Sequence, residues 1–232
     1  MIQKPVVIVT CTQTKADAFV ARLRVFGYDA YAMPVLEAEA VNGPVPDDYT
    51  QFSGYILTSA QALRFLPVNV PRHLPLYAVG DATAEAARAS GFSHVLSAAG
   101  DVADLADFIH AQKPYGQLLH LCGVDLAQDT KPAFARAGLD VVYWPLYRSV
   151  EKAFDISAFL TKTPLCVTLH SPKGARAFVR GLPTGVDTQK MSLLCLSRAV
   201  LDSVPEIQFG CVCMAETPDE NALINLLENF NV

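Results

Sequence analysis

Short apolar runs recur along this chain, and each ends in, or leads within two residues to, a glycine or hydroxyl residue before a segment of helical periodicity. Pro5–Thr10 (PVVIVT), Gly54–Thr58 (GYILT), Leu76–Val79 (LYAV), Gln117–Leu121 (QLLHL), Leu165–Leu169 (LCVTL), Leu193–Leu196 and Gly210–Ala215 (GCVCMA) are such runs. Uninterrupted apolar runs of this length suit strands buried on both faces. The segments between them read as helices. Lys15–Phe26 carries Ala18, Phe19, Leu23 and Phe26 at helical spacing, and Gly27 ends it. Ser59 leads into a helix with Ala62, Leu63 and Leu66, Ala82–Ser90 closes on Gly91, Thr130–Ala137 on Gly138, and Asp101–Ile109, Ala175–Val179 and Asp219–Phe230 complete the set. A glycine just past a helix accepts the left-handed backbone that a helix end often needs. Strict alternation of strand and helix predicts an α/β fold with doubly wound parallel sheets. Asp29–Leu36, His94–Leu96 and Leu139–Tyr147 are further strands, the first and last interrupted by Pro34 and Pro145. Asn42–Asp48 and Pro67–Pro75 read as loops.

The second half of the pattern repeats the first. GYILTSAQALRF is similar to LCVTLHSPKGARAF, which pairs Ser59 with Ser171, 112 positions on. YAVGDATAEAA is similar to LCLSRAVLDSV, which pairs Gly80 with Ser197, 117 positions on. SAAGDVADLADFI likewise matches MAETPDENALINLL. Three matches in one order at a near-constant offset predict two similar α/β domains. The interrupted strands carry the chain from one series to the other and back, because proline suits a strand end or a crossing rather than a sheet centre. Domain one is then 1–35 plus 148–232, and domain two, 36–147, is inserted into it. Two antiparallel crossing strands join them, and a cleft between them is the expected ligand site.

Composition narrows the function. The 232 residues are 51% hydrophobic and 18% charged, with a net charge of -5. An acidic chain lacks the basic surface of a nucleic-acid binder. No segment reaches the roughly 18 apolar residues of a membrane span, and the N-terminus lacks a signal peptide's apolar core and cleavage site. The six cysteines fall mostly in apolar runs, as small buried hydrophobes do. Cys211 and Cys213 share one strand face, there is no CxxC pair, and no metal site is expected. A reducing cytoplasm is the expected compartment.

Candidate chemical groups cluster where strands end. Thr58 and Ser59, Gly80 with Asp81 and Thr83, Ser171 with Lys173 and Gly174, and Ser197 with Arg198 all stand at strand-to-helix turns. Such turns offer hydroxyls and free N–H groups, which hold carboxylates and phosphates well and abstract protons poorly. The same residues serve equally as ordinary helix caps. The chain contains no GxSxG elbow, no GxGxxG and no GxxxxGK[ST], the signatures of common hydrolase, dinucleotide and P-loop sites. His120 and His170 lie near strand ends and read as structural histidines. Tyr147, beside Arg148 on the second crossing strand, has a phenol that suits proton donation to a leaving hydroxyl; a core aromatic is the alternative.

Taken in order, these pieces resemble the uroporphyrinogen-III synthase family over essentially the whole chain. They run from VIVTCTQTKADAFVARLRVFGYDAYAMPVLE through YILTSAQAL, LYAVGDATAEAARASGF, GDVADLADFI, LLHLCG, FARAGLDVVYWPLYRS, LHSPKGARAF and LLCLSRAVLDSV to MAETPDENALINLL. The resemblance implies a lyase of tetrapyrrole synthesis. It would take linear hydroxymethylbilane, release its hydroxyl as water, and close the ring with the last pyrrole inverted. It implies no cofactor and two α/β domains on a flexible link that close over the tetrapyrrole. The family's tyrosine near the second crossing falls on Tyr147, its hydroxyls on Thr58, Ser59 and Thr83, and its SP-turn serine on Ser171. Catalysis by holding reactive ends in place fits a site rich in hydroxyls.

Cys11 and Cys122 stand where family members often carry arginine, and the turn at Ser197-Arg198-Ala199-Val200 lacks the family's threonine. Lys15, Arg64, Arg148, Lys173 and Arg198 are the candidates to neutralise substrate carboxylates, or are solvated charges. The expected partner is the small-molecule tetrapyrrole alone, bound by a monomer, with neither nucleic acid nor membrane. The missing arginines leave one rival reading, a two-domain binding or sensor protein that kept the fold without the reaction. A nucleotide-dependent Rossmann enzyme is a third, disfavoured by the missing glycine fingerprint.

Overall fold

The structure, a computed structural model, describes residues 4–43, 45–46, 48–126 and 129–229. Phe230 of the expected last helix, and Pro44 and Asp47 of the expected loop, lie outside the described residues. The chain forms β1 (Val6–Val9), α1 (Gln13–Val25), β2 (Asp29–Ala32), β3 (Leu36–Ala40), β4 (Phe52–Leu57), β5 (Leu76–Ala78), α2 (Asp81–Ala89), β6 (Val95–Ser97), α3 (Val102–Gln112), β7 (Gln117–Gly123), α4 (Lys131–Arg136) and β8 (Val141–Glu151). It continues as β9 (Leu165–Leu169), α5 (Pro172–Arg180), β10 (Met191–Cys195), α6 (Arg198–Leu201), β11 (Cys211–Met214) and α7 (Glu220–Glu228). Short 3-10 turns at Ala60–Phe65, Ser157–Phe159 and Thr188–Lys190 complete the elements.

Two compact units result, one from 1–37 with 150–232 and one from 38–149. The first is a five-stranded sheet in the order β11-β10-β9-β1-β2, parallel throughout. Side chains alternate across it, as they must in a strand. Val7 and Val9 face Phe19 and Leu23 of α1 and Leu223 and Leu227 of α7. Ile8, Val167 and Leu193 face Ala175 and Phe178 of α5 on the other side. Helices therefore cover both faces, which is why these strands carry no polar alternation.

The second unit has the order β3-β8-β7-β4-β5-β6, and its strands from β8 to β6 pair in parallel. Tyr55, Leu57, Leu119 and Leu121 pack on one face with Ala84 and Ala87 of α2. Ile56, Tyr77 and Leu118 pack on the other with Leu105 and Ile109 of α3 and Phe134 of α4. Its five parallel strands β8-β7-β4-β5-β6 match β2-β1-β9-β10-β11 of the first unit position by position. The sequence repeat is thus a repeat of strand order: Ser59 follows β4 as Ser171 follows β9, and Gly80 follows β5 as Ser197 follows β10. Asp101 and Asp219, in the third matching pair of segments, cap α3 and α7 with their side chains.

The two prolines sit differently. Pro34 separates β2 from β3. Pro145 stays inside β8, opposite Cys122, and the register then skips a residue so that Gly123 faces Tyr147. That bulge lets the strand tolerate a residue that donates no ladder hydrogen bond. The β3 edge adds a further contact, since Val41 N–H donates to Leu146 O at 3.0 Å.

Gly54, at the centre of β4, has no room for a side chain. A Cβ there would lie 2.8 Å from Pro75 O and 3.3 Å from the Tyr77 ring. Gly54→Ala should cost about 1–3 kcal/mol through overpacking, read as a lower urea midpoint. An unchanged midpoint would show that β5 yields to the methyl group.

Candidate active site

The five strands of the first unit and the five from β8 to β6 of the second are parallel, so in each unit their carboxyl ends share one edge, and the sequence-selected residues gather there. In the second unit β4 leads into Thr58 and Ser59, β5 into Gly80, β7 into Gly123, and β8 carries Tyr147. The register holds them side by side: Ile56 pairs with His120, His120 with Tyr143, and Gly123 with Tyr147.

Tyr147 is half-buried. The Phe65 ring stacks on it, with centroids 5.6 Å apart and planes 20° apart. Burial pushes its phenol above the usual tyrosine value, and the nearby Ser59 hydroxyl opposes that shift. The group is therefore a neutral proton carrier at any physiological pH. Gly123 makes room for it: a Cβ at Gly123 would lie 2.9 Å from Tyr147 Cζ and 3.2 Å from its hydroxyl oxygen. Ser59 also caps the following 3-10 turn, accepting from Gln61 N–H at 3.3 Å. Arg64 on that turn is exposed and lies 5.9 Å from the Phe65 ring centre.

Thr58 Oγ1 lies 3.0 Å from His120 Nε2. His120 is fully buried between the edges of Phe134 and Tyr143, and burial lowers its pKa to about 4. It is a neutral structural histidine, as its sequence context indicates. Gly80 is the extended N-cap of α2, and a Cβ there would meet nothing within 4 Å. The turn thus does not require glycine for its backbone, and Gly80 leaves open space before the helix start. Neither Asp81 nor Thr83 caps α2; they are its first and third residues, Asp81 exposed and Thr83 half-buried.

In the first unit Ser171 is the N-cap of α5 and accepts from Gly174 N–H at 3.1 Å. Lys173 is half-buried in the first turn of α5. Ser197 precedes α6 but makes no side-chain cap, and α6 is only four residues long. Arg198 is exposed and pairs with Asp202 at 2.9 Å. This end is less built than the Gly80 turn, in line with the loss of its threonine. His170 Nε2 lies 3.0 Å from Thr168 Oγ1, and its pKa is lowered to about 4 by burial and the Lys15 charge.

The two cysteines in arginine positions cannot supply charge. Burial pushes Cys122 up to about 11 and Cys11 up to about 12, so both remain neutral thiols. Arg148 lies 3.5 Å from Glu39 in an exposed pair, of a kind worth little and easily exchanged for another anion. Among the described residues no group of three or more His, Cys, Asp or Glu could hold a metal ion. Phe65 and Gly123 escape sequence reasoning: nothing in ALRF or HLCG marks a residue that shapes a tyrosine two strands or a turn away.

Both histidines have a folded pKa near 4, below an unfolded value of about 6.5. The neutral form is favoured in the fold, so their contribution is complete above about 6.5 and is lost as pH falls toward 4. For His120 this is on the order of 3 kcal/mol. Urea denaturation between pH 7 and 4.5 should show this loss, and His120→Gln should lose less over the same range. Equal slopes would contradict it. Gly123→Ala should displace the Tyr147 ring and weaken its stacking on Phe65, seen in near-ultraviolet circular dichroism. An unaltered tyrosine signal would show that the ring yields without moving from Phe65.

Comparison with known families gives a match over residues 17–225 to the family described as uroporphyrinogen-III synthase HemD. Among solved structures, the uroporphyrinogen-III synthetase of Helicobacter pylori 26695 is similar at a TM-score of 0.67 and 16% identity, covering 99% of this chain and 100% of that one. A mutant uroporphyrinogen III synthase of the extremely thermophilic bacterium Thermus thermophilus is similar at a TM-score of 0.49 and 17% identity, over 97% and 98%. No curated protein matches by sequence. No helix among the described residues is long and apolar enough to cross a membrane.

Proposed function

The chain belongs to the uroporphyrinogen-III synthase family, and from that premise we propose that Tyr147 is its proton donor and that the hydroxyls at its strand ends hold the substrate. The reaction is the cyclisation of hydroxymethylbilane to uroporphyrinogen III, with loss of water and inversion of the last pyrrole. The family match supports this enzymatic reading, and nothing favours a non-catalytic binding protein.

In the proposed step the bond between the hydroxymethyl carbon and its oxygen breaks, and the electron pair leaves with oxygen. The Tyr147 phenol supplies the proton that makes the leaving group water. The cation left on carbon is stabilised by the attached pyrrole; ring closure joins it to the last pyrrole by a carbon–carbon bond, and the ring proton that this pyrrole sheds restores the phenol. Positioning dominates, because bringing the two ends of a flexible tetrapyrrole together is an entropic task. The single observation that carries the assignment is the place of the phenol, stacked on Phe65 and beside the Ser59 hydroxyl at the edge where the strands end.

Thr58, Ser59, Gly80 and Thr83 are assigned to substrate carboxylates and backbone positioning, and Ser171, Lys173, Ser197 and Arg198, at the strand ends of the first unit, are the further substrate-binding candidates. Taking the units as the domains 1–35 plus 148–232 and 36–147 belongs to the same reading. So do a monomer and a cytoplasmic location.

Tyr147→Phe keeps the ring and removes the proton. It should lower kcat for hydroxymethylbilane consumption by about 10²–10⁴-fold, the usual scale of general acid catalysis, without changing the melting temperature. Turnover at the wild-type rate would remove Tyr147 from the mechanism. Thr83→Ala should weaken KM only a few-fold, because the N–H groups of α2 remain; complete loss of activity would give the Thr83 side chain a larger role.

A further inference from the structure

We propose that His120 is a positioning residue that turns the Thr58 hydroxyl into a hydrogen-bond donor aimed at an anionic group of the substrate. His120 is 0% exposed, and its Nδ1 has no hydrogen-bond partner. Its other nitrogen, Nε2, lies 3.0 Å from Thr58 Oγ1.

A neutral imidazole carries one N–H. Placed on Nδ1, that N–H would be a buried donor with no acceptor, facing a site walled by Phe134 and Tyr143. Orphaned buried N–H groups are rarer than under-used acceptors. The N–H therefore sits on Nε2 and donates to Thr58 Oγ1, which leaves the Thr58 hydroxyl proton to point elsewhere.

The first unit supplies the contrast. There His170 Nε2 bonds Thr168 Oγ1 at 3.0 Å, and Thr168, fully buried, donates its proton to Ile8 O at 3.3 Å. Among the described residues no carbonyl accepts from Thr58 in this way. It is half-buried at the strand end, and His120 is its one side-chain partner among the described residues. Its proton remains available to a ligand. An oriented hydroxyl donor suits a carboxylate, and the substrate of the proposed function carries several. The inference rests on that reading for its ligand, and on His120 alone for its geometry.

Two measurements test it separately. Long-range nitrogen-15 spectra of the wild-type protein at neutral pH should show His120 as the Nε2–H tautomer; an Nδ1–H tautomer overturns the proposal without touching the assigned activity. In steady-state kinetics, Thr58→Val and His120→Leu should each raise KM for hydroxymethylbilane about three- to tenfold with little change in kcat. The double variant should be no worse than either single one, and His120→Gln, which restores a donor at that reach, should recover most of KM. Multiplying effects in the double variant would overturn the coupling. An unchanged KM for Thr58→Val with the expected tautomer would overturn the substrate contact and, with it, the role assigned to Thr58 above.

Discussion

The alignment of β4 against β7, and of β7 against β8, is the constraint on which the second unit's chemistry depends. With Ile56 opposite His120, Thr58 falls diagonally from the imidazole on the same sheet face. With Gly123 opposite Tyr147, the phenol passes over a residue that has no side chain to obstruct it. A slip of one residue would send every side chain to the other face, parting Thr58 from His120 and burying Tyr147 against a different layer. The alternating cores of Tyr55, Leu57, Leu119 and Leu121 on one side and Ile56 and Leu118 on the other resist that slip. The packing that stabilises the sheet therefore also sets the spacing of Thr58, His120 and Tyr147.

Much of this was legible in the residues. Apolar runs ending in small or hydroxyl residues determined which segments are strands, and the similarity between the Ser59 and Ser171 segments anticipated the shared strand order. Those signals come from local burial, which leaves its mark on each strand separately. What stayed hidden depends on neighbours distant in the chain. Asp81 and Thr83 read as caps because they are good capping residues, yet Gly80 takes the N-cap position. The stacking of Phe65 on Tyr147 joins a 3-10 turn to a strand some eighty residues later, and no periodicity encodes it. Pro145 read as a break, whereas a bulge keeps it inside β8.

Each unit gathers neutral groups near its strand ends. In the second unit the Tyr147 phenol, the His120 ring and the Cys122 thiol are un-ionised; in the first, the His170 ring and the Cys11 thiol are. Such groups abstract protons poorly. In the proposed reading, hydroxyls and N–H groups hold a long anionic chain, Tyr147 gives up one proton, and the substrate's own pyrroles stabilise the cation that forms. Catalysis is then mostly conformational, and its specific outcome is which way the last ring faces when the chain closes.

That outcome is directly measurable. Freshly prepared hydroxymethylbilane closes spontaneously to the uninverted type I ring, so the isomer composition of the product separates enzyme from container. Incubation with this protein, followed by oxidation and chromatographic separation of the isomers, should yield predominantly the type III porphyrin. A product consisting of type I alone would contradict the account, whatever the protein binds.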